Sequence, residues 1–117
     1  MTLKECYHAM GADYDGVICR LLTEERVQKF LLKAVDNQLL EKLSSSLEEG
    51  DYKEAFRSAH SLKGVCQNLG LTKLEASSSE MTEILRGGEP GQDVAPLLEQ
   101  VKKDYEIFEK SVAMLDR

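Results

Sequence analysis

The stretch Asp51-Tyr52-Lys53-Glu54-Ala55-Phe56-Arg57-Ser58-Ala59-His60-Ser61-Leu62-Lys63-Gly64-Val65-Cys66-Gln67-Asn68-Leu69-Gly70 marks both of its own ends. Asp51 followed three residues later by Glu54 resembles a capping box, and Gly70 is the residue type suited to the left-handed position just past a helix. At roughly 100° per residue, with His60 at zero, Ala55, Ala59, Leu62, Cys66 and Leu69 fall in an arc centred about 220° round the helix. The spacing therefore predicts one long helix with a core face. His60 stands nearly opposite that face.

On either side of this helix the chain keeps the same period, and nothing alternates in the manner of a strand. A short helix is predicted around Leu3 to Met10, broken at Gly11, and a second from about Asp15. Thr23 is the expected N-cap of a helix whose stripe is Val27, Phe30, Leu31, Ala34 and Val35, with a break at Asp36 and Asn37. Leu39, Leu40, Leu43 and Leu47 give the next stripe, ending at Gly50. After Gly70, Thr72 with Glu75 reads as another capping box, opening a helix with Leu74, Ser77, Ser78, Met81, Ile84 and Leu85 inward. Gly87-Gly88-Glu89-Pro90-Gly91 stops it. A last helix from near Asp93 carries Val94, Leu98, Val101, Tyr105, Phe108, Val112 and Leu115 in steps of four and three.

Short connections between helices imply antiparallel neighbours. The expected fold is all-α: an up-and-down antiparallel four-helix bundle with short additional N-terminal helices. Residues 1–117 are read as one domain, with the short helices over about 1–22 and the bundle over about 23–117, His60 lying on its second helix.

The composition excludes several classes of function. A chain of 117 residues buries one modest core, and its formal charge of -6 opposes binding to nucleic acid or to an anionic membrane surface. The absence of tryptophan leaves no evident platform for stacking bases. The apolar runs are too short for a bilayer, and the charged N-terminal stretch does not read as a signal peptide, so a cytoplasmic location is expected. Cys6, Cys19 and Cys66 form no C-x-x-C pair, which points to reduced thiols, mostly packed. Two histidines without an E-x-x-H pair give no metal site. The serine runs Ser44-Ser45-Ser46 and Ser77-Ser78-Ser79 read as close packing rather than as modification sites.

The chemistry concentrates around His60. Lys63, Gly64 and Gln67 follow it at spacings that share one helical face, and Phe56, Lys53 and Arg57 continue the strip. Gly64 in mid-helix costs about 1 kcal/mol against alanine, a cost that calls for a packing or access reason. Bare backbone one turn from the imidazole opens room for a bulky group, and Lys63 supplies a cation for a phosphoryl group carried on the ring. No nucleophile elbow accompanies the histidine, and no Gly-rich nucleotide loop is present, so neither a serine-type triad nor autophosphorylation by ATP is expected. His8, near the terminus and without cationic companions, reads as an ordinary surface residue.

Ala59 through Gly70 closely resembles the signature of histidine-containing phosphotransfer (HPt) domains: a histidine, a lysine and a glycine three and four positions on, small residues, and an apolar-glycine pair ending the helix. The likeness in architecture extends from near Thr23 to the end, while the specific match is confined to the dozen residues around His60. The resemblance implies a two-component phosphorelay in which His60 accepts a phosphoryl group from an aspartyl phosphate of a receiver domain and passes it to another. Lys63, Gly64 and Gln67 would serve the transfer. The partners implied are response-regulator receiver domains and a hybrid sensor histidine kinase. No cofactor is expected on this chain, Mg²⁺ belonging to the receiver. The family often places a Glu or Gln on the next helix to hold the other ring nitrogen; here that position is Thr82, beside Glu83, and both are candidates for the role. Phe56, Arg57 and Lys53 are the expected docking residues, joined by Val17, Ile18 and Leu21 from the short helices.

Two other readings share these residues. One is the phospho-accepting module of a chemotaxis-type histidine kinase, labelled by an ATP-binding domain without any receiver. The other is a non-catalytic adaptor that binds receivers through the same surface. A monomer is expected, with the C-terminal seam packed into the bundle. Met1 and the charged finish Leu115-Asp116-Arg117 point to a free-standing protein rather than a hybrid-kinase fragment.

Overall fold

A computed structural model describes residues 1–116, in which the chain forms seven α-helices and, among the described residues, no strand. They are α1 (Leu3–Met10), α2 (Tyr14–Leu21), α3 (Glu24–Val35), α4 (Leu39–Glu49), α5 (Tyr52–Leu69), α6 (Thr72–Leu85) and α7 (Ala95–Ala113). The all-α bundle expected from periodicity is the fold observed. Five helices, not four, follow Thr23: the up-and-down succession runs from α4 to α7, and α3 is an additional helix packed beside it. His60 lies on the third helix after Thr23 and the second of α4–α7.

Successive members of the bundle pack on each other, and α3 sits against α2, α5 and α7 while α1 covers α7. Tyr105 of α7 donates its hydroxyl to the Val35 carbonyl at the end of α3, 3.2 Å away, which fixes α3 against the bundle. The α5–α6 pairing is the most extensive. Small residues are buried on both helices, Ala55, Ser58 and Ala59 on α5 and Ser77, Ser78 and Thr82 on α6, and the Cys66 thiol of α5 meets the Ser78 hydroxyl across the seam. Small side chains let the two helix axes approach closely. The hydroxyls of Ser78 and Thr82 donate to carbonyls one turn back in α6, each at 2.7 Å, so polar groups enter this seam already satisfied.

The ends of α5 are set as the sequence indicates. The Asp51 carboxylate accepts from the Glu54 N–H at 3.2 Å, and Gly70 takes φ 68° after the last turn. A Cβ at Gly70 would also meet the Asp13 carbonyl oxygen at 2.9 Å, so glycine lets the start of α2 pack directly on the end of α5. Tyr7, fully buried, donates its hydroxyl to the Leu69 carbonyl at 2.7 Å in the same corner. Replacing Tyr7 with Phe leaves that carbonyl unpaired, and urea denaturation is expected to show a loss of about 1–2 kcal/mol.

Several local expectations give way. Thr72 does not cap α6: the cap position falls to Leu71 with no side-chain bond. The two-residue link is too short to hold the expected start, and the Thr72 N–H instead reaches the Gly70 carbonyl at 3.0 Å. Phe30 leaves the core and is 39% exposed, because α3 lies at the edge of the bundle and buries only Val27, Leu31 and Ala34. The core face of α5 is as predicted, with Ala55, Ala59, Leu62, Cys66 and Leu69 all buried. Burial pushes the Cys66 thiol up to about 12, against a hydrogen bond with Ser78 that acts the other way, so this thiol stays protonated. Cys6 is buried and Cys19 exposed. No described helix is long and apolar enough to cross a membrane.

Candidate functional site

α5 presents His60 outward halfway along its length, with the imidazole exposed. The ring is stacked one turn up against Phe56, centroid to centroid 5.8 Å and 13° from parallel. This i, i+4 contact limits the rotation of the imidazole about its side-chain bonds. The Arg86 guanidinium lies over the same Phe56 ring, 5.3 Å from its centroid. A cation, an aromatic ring and the imidazole therefore form one continuous strip across the α5–α6 boundary.

One turn after His60, Gly64 is exposed, and a Cβ built there meets no atom within 4 Å. Nothing in the fold requires a glycine at that position. The space it leaves is solvent beside the imidazole. Lys63 is half-buried at the α6 flank, while Gln67 is exposed on the next turn. Lys53 and Arg57 are exposed as well, Arg57 sitting 3.4 Å from Glu54.

From α6, Glu83 holds Arg86 with two hydrogen bonds, from Nε at 3.1 Å and from a terminal nitrogen at 3.0 Å. That guanidinium keeps the Glu83 carboxyl below the usual carboxylate range, and the charges of Lys63 and His60 add to the effect. Glu83 thus lies within the electrostatic reach of both α5 side chains. Thr82 does not share this face. It is completely buried and its proton goes to the Ser78 carbonyl, so of the pair Thr82 and Glu83 only the latter is exposed on the His60 side. Among the docking residues proposed from the short helices, Val17 is fully buried and cannot touch a partner, while Ile18 and Leu21 are half-buried.

Arg86 is the residue that sequence reasoning passed over. It lies beyond the last turn of α6, where no apolar period singles it out, and its nearness to Phe56 depends on how closely α5 and α6 pack. The available signal was its spacing of three from Glu83, which favours an ion pair at a helix end.

An exposed imidazole with open space on one side and an aromatic ring stacked on the other suits a nucleophile that must meet a bulky anion. A family model described as Hpt domain matches residues 25–111. Neither curated proteins nor solved structures returned a match.

Proposed function

Because the chain belongs to the Hpt domain family, whose members act in phosphotransfer in two-component signalling, we propose that His60 is its phospho-acceptor, fed by an aspartyl phosphate on a receiver domain. The observation that carries this reading is the empty approach over Gly64 beside an imidazole stacked on Phe56. In the transfer, the lone pair of the outward ring nitrogen attacks phosphorus while the bond from phosphorus to the aspartyl oxygen breaks. The carboxylate leaves with the electron pair, and the proton on the other ring nitrogen is released to restore a neutral ring. The reverse reaction on a second receiver regenerates His60.

Such a transfer is mostly positioning and charge stabilisation. In this reading Lys63, one turn from His60, and Arg86, over the Phe56 ring, would offset the charge of the phosphoryl oxygens, and Gln67 would contact the group or its carrier. Glu83 holds Arg86 until the phosphoryl group competes for it. The receiver supplies the acidic pocket and its Mg²⁺. Replacing Arg86 with Ala is expected to slow transfer about 3- to 10-fold, as for the loss of one exposed charge-assisted contact. Arg86→Lys recovers part of that rate, whereas a purely structural role would show in the melting temperature of both variants.

Labelling separates this route from the kinase-module reading. The chain is incubated with phosphorylated receivers in one arm, and with ATP and histidine-kinase catalytic domains in the other. Uptake from receivers alone supports the proposal. Uptake only from ATP and a kinase domain would replace it.

A further inference from the structure

Phe56 is half-buried and packs against the hydrophobic core, while His60 one turn on is exposed. Their rings lie 13° from parallel with centroids 5.8 Å apart, which is the offset stack that aromatic pairs favour. Side chains on a helix lean towards its N-terminus, so the imidazole falls towards position 56 and away from position 64. The Arg86 guanidinium, held by Glu83 through two hydrogen bonds, rests over the same Phe56 ring, 5.3 Å from its centroid. The imidazole is thus stacked on a ring that is itself held by the core and by α6. The two α6 candidates for holding a ring nitrogen are engaged elsewhere. Thr82 is fully buried and donates to the Ser78 carbonyl, and the Glu83 carboxylate accepts both bonds from Arg86.

We propose that Phe56 is a positioning residue for the His60 imidazole, filling through a contact with the ring face the role that a hydrogen-bonding side chain would fill at a ring nitrogen. The inference rests on the phosphotransfer reading and adds to it how the nucleophile is aimed. The lone pair that attacks phosphorus lies in the plane of the imidazole, so that plane sets the direction of attack. A stack on the ring face sets the plane and covers neither nitrogen, because both nitrogens lie on the ring edge. On the other side, one turn along, Gly64 leaves the approach empty. The contact also differs from a hydrogen bond in what it leaves free: it holds the ring plane and does not select a tautomer. Its benefit is realised inside the complex with a phosphorylated partner, where the fraction of time spent in the attacking geometry sets the rate.

The test compares Phe56→Leu, which keeps an apolar side chain against the core and removes the ring, with Phe56→Tyr, which keeps the ring. It uses a receiver that labels the wild-type chain. Phe56→Leu is expected to lower the single-turnover rate at saturating phosphorylated receiver by about 3- to 10-fold, with the half-saturating concentration within about twofold of wild type. Phe56→Tyr is expected to restore that rate to within about twofold of wild type. A Phe56→Leu chain that transfers at the wild-type rate overturns the proposal. So does a loss confined to the half-saturating concentration, which would make Phe56 a docking residue. NMR of the unphosphorylated wild-type chain keeps the proposal testable if the Leu variant folds poorly. With the imidazole neutral, Overhauser contacts between the two rings are expected, together with ring-nitrogen shifts of a tautomer mixture like that of free histidine. Averaged side-chain couplings without ring contacts, or nitrogen shifts of one fixed tautomer, overturn it. If neither receivers nor phosphoramidate label wild-type His60, the phosphotransfer reading fails and takes this inference with it. Loss of the NMR signature alone overturns the inference and leaves that reading standing.

Discussion

A chain with Gln at position 60 is expected to fold as the wild type does and to take up no phosphoryl group from any receiver. The side chain is exposed and stacks on Phe56, so its loss removes one surface stack. Stability should change by no more than about 0.5 kcal/mol. Uptake vanishes for a chemical reason, since a carboxamide has no nucleophilic lone pair comparable to that of imidazole. Urea denaturation and receiver-dependent labelling of the same sample separate the two effects. Retained binding of receivers by this variant is expected; retained signalling would point to the adaptor reading.

Gly64→Gln is expected to move stability and transfer in opposite directions. Position 64 is exposed on a regular helix with nothing near its missing side chain, so a better helix former there should stabilise the chain by up to about 1 kcal/mol. The same side chain stands one turn from the imidazole and fills the approach of the phosphorylated aspartate. Misplacing reacting groups by about 1 Å costs on the order of 100-fold, and transfer should fall at least that far. Gly64→Ala is the graded control, with the gain in stability and a smaller loss in rate. Single-turnover kinetics with a phosphorylated receiver reads the rate. Wild-type transfer by the Gln variant would show that the glycine does not serve access.

Much of this site was legible because α5 declares itself locally. Asp51 and Gly70 set its ends, and the phase of Leu62, Cys66 and Leu69 turns His60 outward, with no knowledge of the other helices needed. What depends on packing between helices was harder to read. Arg86 meets Phe56 across the boundary between α5 and α6, an approach that nothing local to either helix announces. Thr82 was readable and was misread: it lies one turn after Ser78, on the stripe already assigned to the core, and burial follows from that phase. Phe30 fails in the opposite sense. Its stripe predicts a buried face for α3, but that helix sits at the edge of the bundle and has too little surface to cover it. Sequence spacing also could not show that Phe56 stacks on the imidazole, since the same i, i+4 spacing serves equally well for a docking residue.

The most direct measurement is to phosphorylate the wild-type chain with a receiver aspartyl phosphate and locate the modification by ³¹P NMR and by fragment mass spectrometry. A single phosphohistidine at His60 is expected, labile in acid and stable in base, which is lost when unphosphorylated receiver is added. A label on His8, a label on a serine that survives acid, or no label above the background of the His60→Gln chain across a panel of receivers would contradict it.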